Sequence, residues 1–134
     1  DDGLDYDEGY RGLNQFVVVH QDPADGGADR GGEHDGGTDP ETGTPYATPI
    51  FFNVTSVGNS GSRALTFRDN AGGEYHNSIF SGFGRGVDIE YLKGQSQNSY
   101  KQFEDGILIL ENNVFYNIGV GTTGEVLFTV SVLD

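Results

Sequence analysis

The sequence contains no cysteine, no methionine and no tryptophan, and lysine and arginine together supply only 7 of its 134 residues. Without cysteine the chain has neither a disulfide framework nor a thiolate metal site. The absence of methionine extends to position 1, which indicates a processed chain or a fragment of a longer protein. Proline is scarce as well, with 4 residues against 22 glycines. Together with a hydrophobic fraction of 34%, this favours many short strands and turns over a thick helical core.

The few basic residues face 21 aspartates and glutamates, which gives a formal charge of −14. Such a surface repels nucleic-acid phosphates and anionic membrane surfaces, so we expect neither as a partner. The sequence has no apolar run long enough to cross a bilayer, and we therefore expect no membrane insertion. Two compatible interpretations remain. Dense carboxylates keep a protein soluble in a high-salt (halophilic) habitat, and carboxylate oxygens bind cations, above all calcium.

A repeat is visible in the second half of the chain. The run around Asn77 (HNSIFSGFG) has the same internal order as the run around Asn112 (ENNVFYNIG). Leu65 and Val87 mark a spacing of about 22 residues, which is typical of one coil of a β-solenoid. The two asparagines are about 35 residues apart, and the excess of about 13 equals the polar segment 91–103. This segment is predicted to be a loop inserted at a corner.

The same spacing extends to the N-terminal half once the turn-forming segment 38–46 is removed as a second inserted loop. Four coils result. Their equivalent acidic corners are predicted at Asp7, Asp35, Asp69 and Glu104. Their equivalent core positions are predicted at Val17, Val54, Ile79 and Val114.

The fold class predicted from this repeat is all-β, a parallel β-solenoid of about four coils with two corner loop insertions. Residues 1–134 then form a single domain or a fragment of one. One coil cannot bury its own apolar face, whereas stacked coils bury a continuous column. An antiparallel sandwich is the alternative, and it explains the strands and glycines equally well. It does not explain why two apolar clusters share their internal order.

Three runs resemble a known type of protein. They are GLDYDEGYRGxxQFV (Gly3–Val17), GGEHDG (Gly31–Gly36) and RALTFRDNAGGEYHNSIF (Arg63–Phe80). They resemble right-handed parallel β-helix regions of large bacterial secreted or cell-surface proteins, within the pectate-lyase-like superfamily. The resemblance implies a right-handed helix and an extracellular or cell-surface location. It implies no activity, because the fold hosts many roles and the catalytic basic residues of the lyases have no counterparts here.

The acidic corners are the first candidate site. Adjacent coils lie roughly 4.8 Å apart, so stacked carboxylates repel each other unless a cation, an arginine or full solvation offsets their charge. The predicted calcium ligands are Asp5, Asp7, Glu33, Asp35, Asp69 and Glu104. Further aspartates of the same Asp-Gly-rich region are Asp22, Asp25 and Asp29. No stretch matches an EF-hand loop, and a solvated acidic face is the alternative.

Two amides and three tyrosines complete the candidate residues. Asn77 and Asn112 are predicted to form an internal amide ladder between coils, a structural role. Tyr91, Tyr100 and Tyr116 are candidates for stacking on the sugar rings of a polysaccharide. The three histidines, His20, His34 and His76, lack metalloenzyme spacing and are interpreted as hydrogen-bonded surface or corner residues.

The favoured functional hypothesis is a non-catalytic β-helix segment of an exported bacterial protein with a structural, adhesive or carbohydrate-contacting role. A short solenoid has two ends with unpaired strand edges, so end-to-end self-association into filaments is expected. The sequence contains no nucleophile elbow and no phosphate-binding loop. The alternative is an enzyme, a calcium-dependent polysaccharide lyase or glycosidase that uses the solenoid groove.

Overall fold

The computed structural model of the chain describes residues 2–24 and 26–134, which are mostly short strands joined by turns. The strands of the first two coils are β1 (Leu4–Tyr6), β2 (Leu13–Gln15), β3 (Val18–His20), β4 (Gly32–Asp35), β5 (Ile50–Phe52) and β6 (Thr55–Val57). The remaining elements are β7 (Arg63–Arg68), β8 (Gly73–His76), β9 (Ile79–Ser81), β10 (Arg85–Leu92), α1 (Ser99–Glu104), β11 (Leu108–Glu111), β12 (Val114–Tyr116), α2 (Gly124–Leu127) and β13 (Phe128–Leu133).

The strands form three parallel sheets that wind around a common core. Sheet A has the order β1-β4-β7-β10-β13, sheet B the order β2-β5-β8-β11, and sheet C the order β3-β6-β9-β12. Every third strand along the chain thus returns to the same sheet. The fold is a right-handed parallel β-helix of four complete coils, and β13 begins a fifth. The predicted fold class is confirmed.

The corner between sheets B and C is a short turn that bends through one left-handed residue. The four equivalent residues are Phe16, Asn53, Asn77 and Asn112, with φ values of 56°, 57°, 51° and 55°. Asparagine adopts this conformation more readily than other non-glycine residues. Three of the four coils therefore carry the amino acid that this corner favours, and the same corner keeps sheets B and C in register from coil to coil.

The core is a column of aromatic rings stacked along the helix axis. The rings of Tyr6 and His34 lie 4.1 Å apart and nearly parallel, and those of Phe51 and Tyr75 lie 4.6 Å apart. Phe67 packs against His34 with a centroid distance of 4.9 Å. Because parallel coils place equivalent residues one strand spacing apart, rows of large side chains stack on one another in the interior.

Both predicted insertions lie at one corner, between sheets A and B. The first connects β4 to β5, and the second connects β10 to β11 and contains α1, which the sequence analysis did not predict. Asn98 caps α1, its side chain accepting from the Lys101 amide, and the Ser99 hydroxyl accepts from the Ala71 amide of the preceding coil. The insertion is thereby fixed to the coil stack. No helix within the described residues is long and apolar enough to cross a bilayer.

The predicted core positions are correct in only half of the coils. Val54 is buried and Val17 partly so, but Ile79 and Val114 are 44% and 52% exposed. The register pairs Ile79 with Thr55, one residue beyond Val54. Side chains alternate between the two faces of a strand, so this slip of one residue exchanges inside for outside. The buried residues of these coils are Phe80 and, partly, Phe115.

Candidate functional site

Two rows of polar side chains cross the outer face of sheet A, and together they are called the acidic face here. The first row is Asp5, Glu33, Thr66, Asp88 and Thr129. The second row, which continues the same register, is Asp7, Asp35, Arg68, Glu90 and Ser131. Parallel pairing without slippage makes each row a line of residues one strand spacing apart. The five strands of sheet A therefore place acidic residues of successive coils on one surface.

Arg68 lies at the centre of the acidic face. Its Nε donates to Asp35 Oδ1 at 2.7 Å, and its second terminal nitrogen lies 3.0 Å from Glu33 Oε1. The hydrogen bond to Asp35 raises the pKa of the guanidinium further above its ordinary value. Glu33 is also 3.5 Å from Arg30. Arginine thus provides the charge offset that the stacking of acidic corners requires.

The carboxylates around Arg68 hold their protons more tightly than exposed ones. Burial raises the pKa of Asp35, although Arg68 opposes the shift. Burial and the charges of Asp35 and Glu90 raise the pKa of Asp69 to about 6. Glu90 has a raised pKa as well, mainly through burial, and its Oε1 accepts from the Asp69 amide at 3.1 Å. The acidic face and its border therefore contain three carboxyl groups with raised pKa values, and Asp69 has the value of about 6.

In the C-terminal part of the acidic face, hydroxyl groups donate hydrogen bonds to the carboxylate of Asp88. Asp88 is 8% exposed, and its two carboxylate oxygens accept from the hydroxyls of Thr129 and Ser131 on β13. Arg63 lies 3.8 Å from the same carboxylate. Asp88 thus has a complete set of partners, which suits a structural role in fixing β13 to β10.

The comparison with protein families decides the classification. The family model described as a pectate-lyase like beta helix domain matches residues 1–131. The chain belongs to this pectate-lyase-like β-helix family. No curated protein and no solved structure matches the chain. The resemblance to this superfamily is confirmed, and membership establishes the fold of the module without assigning an activity.

In this β-helix protein, five of the six predicted calcium ligands lie on or beside the acidic face: Asp5, Asp7, Glu33, Asp35 and Asp69. Burial and the charge of Asp7 raise the pKa of Asp5, while Asp7 itself accepts from the Thr38 hydroxyl at 2.9 Å. Among the described residues, no group of three or more carboxylates or histidines has the arrangement of a metal site. Asp25 lies outside the described residues, and calcium binding stays a prediction.

Glu104 was wrongly placed with the acidic corners. It is the last residue of α1, within the second insertion, and it is exposed. The sequence predicts this insertion before the corner, whereas β10 continues to Leu92 and the insertion follows it. The corner residue of the fourth coil is therefore Glu90. The predicted corner at Asp69 is also wrong by one residue, because the residue that pairs with Asp35 is Arg68.

The two predicted ladder asparagines are equivalent, but their side chains do not form the ladder. Asn77 and Asn112 both occupy the left-handed corner, and both are exposed. The internal amide belongs to the next residue, Asn113, whose side chain accepts from the Ser78 amide and donates to the Tyr75 carbonyl, both at 2.9 Å. The corner position thus favours asparagine for its backbone conformation. In the fourth coil the side chain of the following residue, Asn113, forms the hydrogen bonds between coils.

The three candidate tyrosines do not form one surface. Tyr91 and Tyr100 meet edge to face with ring centroids 6.0 Å apart, and Tyr100 packs against the core. Tyr116 lies on β12 in sheet C and is 69% exposed. No common platform for a sugar ring is formed by these three described residues, and each contact with carbohydrate stays a separate prediction.

His34 was predicted at the surface, but it lies fully buried in the aromatic column. Its Nε2 is 2.8 Å from the Tyr75 hydroxyl, and burial lowers its pKa to about 3. The inward and outward alternation of side chains along β4 indicates that His34 points into the core. His34 pairs with Tyr6 and Phe67, two large aromatic residues in the inward row.

Proposed function

We propose that the chain is a non-catalytic, structural β-helix module of an exported bacterial protein, and that it self-associates through the end of the coil stack that carries β13. The extracellular location rests on the resemblance to secreted and cell-surface β-helix proteins. The non-catalytic role is supported by the arginines on and beside the acidic face. Arg30, Arg63 and Arg68 each lie within ion-pair distance of carboxylates, so none stands ready to act as a base on a bound polysaccharide.

The observation that carries the proposal is the apolar surface at this end. The inward row of β13 has no coil above it among the described residues, and Phe128, Val130 and Val132 are 42%, 45% and 62% exposed. Beside them opens an apolar cavity of about 310 Å³. Its lining includes Tyr100, Phe103, Leu110, Phe128 and Val130. A contiguous apolar surface of this kind marks an interaction site.

The two ends of the coil stack differ. At the first coil the Tyr10 ring lies over the end of the column, 6.5 Å from the Tyr6 ring, and its hydroxyl donates to Asn14 at 3.1 Å. At the last coil sheet A extends one strand further than sheets B and C, which leaves a step beside β13. The first end therefore carries the Tyr10 ring beside its column, whereas the second presents an exposed apolar row on a strand that extends beyond sheets B and C. Both ends have unpaired strand edges.

The occupant we propose is a second copy of this chain, docked with its own β13 end. A copy stacked through its first coil would place β1 on β13 and leave sheets B and C one strand short at the junction. In a dimer with a two-fold axis, the β13 strand of each copy lies over the place where sheets B and C of the other copy end one strand early. The two ends are therefore self-complementary. The expected assembly is a closed dimer, which refines the end-to-end filament expected from the sequence.

Light scattering after size exclusion tests this association. The wild-type chain should be a dimer at high protein concentration, and Val132→Lys should shift it to a monomer by placing a charge in the apolar surface. Val18→Lys is the matched control, since Val18 is 76% exposed on the opposite end and outer face. A wild-type monomer at high concentration, or equal effects of both variants, contradicts the proposal.

A second candidate function is the calcium-dependent lyase or glycosidase, which is favoured by the raised pKa of Asp69, about 6, on the acidic face. A carboxyl group that titrates there is suited to general acid catalysis. An assay for new unsaturated or reducing ends on a panel of acidic polysaccharides tests the activity. Thermal melting with and without chelator tests calcium, and an unchanged melting temperature at both low and high salt contradicts a specific site.

A further inference from the structure

Three of the seven basic residues of the chain lie in one row at the start of sheet A. Arg30 forms a parallel β-bridge with Arg63, and Arg63 pairs with Arg85 in the register of β7 and β10. These three residues are called the arginine row here. Parallel pairing places neighbouring members about 4.8 Å apart along the stack. Like charges at this spacing repel each other, so the row needs negative partners.

The carboxylate partners of the arginine row become fewer from coil to coil. Arg30 has two within ion-pair distance, the nearer being Asp29 at 2.8 Å. Arg63 has one, Asp88, at 3.8 Å. Arg85 is exposed, and its side chain has neither an ion pair nor a hydrogen bond in the part of the chain that the structure describes. The row therefore ends in a guanidinium whose charge no described carboxylate offsets, although the chain has 21 acidic residues.

The single carboxylate near Arg63 already has other partners. Asp88 accepts from the hydroxyls of Thr129 and Ser131, and Arg63 Nη1 donates to Thr129 Oγ1 at 3.2 Å. The Arg63 side chain is 17% exposed. Burial lowers the pKa of its guanidinium, Asp88 opposes this shift, and the charges of the two neighbours in the row add to it. Arg63 and Arg85 thus bring two positive charges to one shared carboxylate.

We propose that Arg63 and Arg85 bind a compact tetrahedral dianion between them, either a free sulfate or phosphate ion or a phosphate monoester. The planar fork of a guanidinium donates two parallel hydrogen bonds to the oxygens of such a group. One dianion offsets both charges, whereas a single carboxylate offsets only one. Arg63 is held in place by Thr129, and every N–H of the Arg85 side chain is free for the ligand.

A long polyanion is a poor ligand for this site. The acidic face lies on the same sheet, and its residues Glu33 and Asp88 follow Arg30 and Arg85 by three positions along their strands. The further charges of a polyuronate or a nucleic acid therefore meet carboxylates of a chain with net charge −14. A neutral ligand leaves the repulsion between the two guanidinium groups in place.

The anion site is separate from the surface proposed for self-association. No member of the arginine row lines the apolar cavity beside β13. Either site can exist without the other, so a chain that fails to dimerise is still expected to bind the dianion.

Titration of the full chain at pH 7, followed by nitrogen-15 NMR of the guanidinium Nε–Hε groups, tests the proposal. The probes are sodium sulfate, sodium phosphate, methyl phosphate and hexagalacturonate, each compared with sodium chloride at the same ionic strength. Sulfate and phosphate should give saturable shifts at Arg63 and Arg85 with a Kd of about 1 mM. Methyl phosphate that binds as tightly as phosphate assigns the site to a phosphate monoester, and weaker binding of this ester assigns it to the free ion.

Arg85→Met should weaken the binding of sulfate and phosphate about tenfold. Arg11→Met is the matched control, because it removes the same charge from an exposed position on the first coil, and it should leave the affinity unchanged. Absence of saturable shifts with both ions up to about 20 mM overturns the proposal. So do equal shifts with sodium chloride, equal effects of the two variants, or tighter binding of hexagalacturonate than of sulfate.

Discussion

At the scale of single residues, the His34–Tyr75 pair is the polar centre of an aromatic column. His34 is fully buried with a pKa of about 3, against 6.5 for a free imidazole, and it is therefore neutral throughout the physiological range. The unfolded chain takes up a proton below about pH 6.5, but the folded chain does so only near pH 3. Stability contributed by this residue is present above pH 6.5 and is lost as the pH falls towards 3.

The first prediction concerns this pH dependence. The double variant His34→Phe/Tyr75→Phe keeps two stacked rings and removes both polar groups. Between pH 6.5 and 4.5 its free energy of unfolding should fall less steeply than that of the wild type, by up to about 1.4 kcal/mol per pH unit. Urea unfolding at several pH values measures this slope.

His20→Asn is the control for that comparison, because His20 is exposed, and its slope should match the wild type. The carboxyl groups with raised pKa, such as Asp69, act in the opposite direction, since the folded state binds their protons first and gains stability as the pH falls through about 6. These groups are common to all three proteins. Equal slopes for the double variant and the wild type would show that His34 is not buried as described.

The second prediction concerns Arg68. Replacing it by methionine leaves the Asp35 carboxylate, 5% exposed, beside Glu33 without its counter-charge. Because the Arg68 side chain is itself 41% exposed, water screens part of the loss, and we expect a destabilisation of about 1–2 kcal/mol at pH 7. Arg85→Met, at an exposed position of the neighbouring strand, should change the free energy of unfolding by less than about 0.5 kcal/mol.

The loss at Arg68 should shrink at pH 4, where Asp35, with its raised pKa, takes up a proton more readily than an exposed aspartate. A destabilisation that is as large at pH 4 as at pH 7 would mean that Arg68 stabilises the protein by packing and not by charge.

At the scale of elements, the corner between sheets B and C requires a residue in the left-handed conformation, which asparagine adopts more readily than other non-glycine residues. The first coil has phenylalanine at this position: Phe16 has φ 56°, and its side chain is 78% exposed. Phe16→Asn should therefore stabilise the protein by about 1 kcal/mol, and Asn77→Val should destabilise it by about 1–2 kcal/mol. Thermal melting measures both. If Phe16→Asn destabilises the protein, the exposed ring makes a contact whose stabilisation exceeds the cost of the left-handed backbone at Phe16.

The sequence predicts the repeating elements and the presence of both insertions, but not α1 or the residue at which the second insertion begins. Asn77 and Asn112 were recognised as equivalent because the corner demands one backbone conformation and few amino acids satisfy it. Their role was misassigned because sequence alone does not tell whether an amide is kept for its backbone or for its side chain. Glu104 was misplaced because the start of an insertion has no spacing signal, and α1 has too few residues for a clear helical period.

The acidic face was largely predictable, since its residues recur once per coil on the same sheet. The shift of one residue at Asp69 equals the slip of one residue at Ile79, so one register error runs through the third coil.

At the scale of the whole molecule, the net charge of −14 opposes the compact state by self-repulsion. Raising sodium chloride from about 0.1 M to about 1 M shortens the screening length from about 10 Å to about 3 Å. The melting temperature at pH 7 should therefore rise, as expected of a protein suited to high salt. The gain should be smaller at pH 4, where many carboxylates are protonated. A melting temperature that does not depend on salt would contradict this.

We propose the β13 end of the coil stack as the interface between two copies of the chain. Backbone hydrogen exchange at two protein concentrations, about 10 µM and about 1 mM, tests it most directly. The amides of β13 that do not bond to β10 should become protected at the higher concentration, whereas those of β1, β2 and β3 should exchange at the same rate in both samples. Protection of β13 that does not change with concentration, or new protection confined to the first coil, would contradict the account.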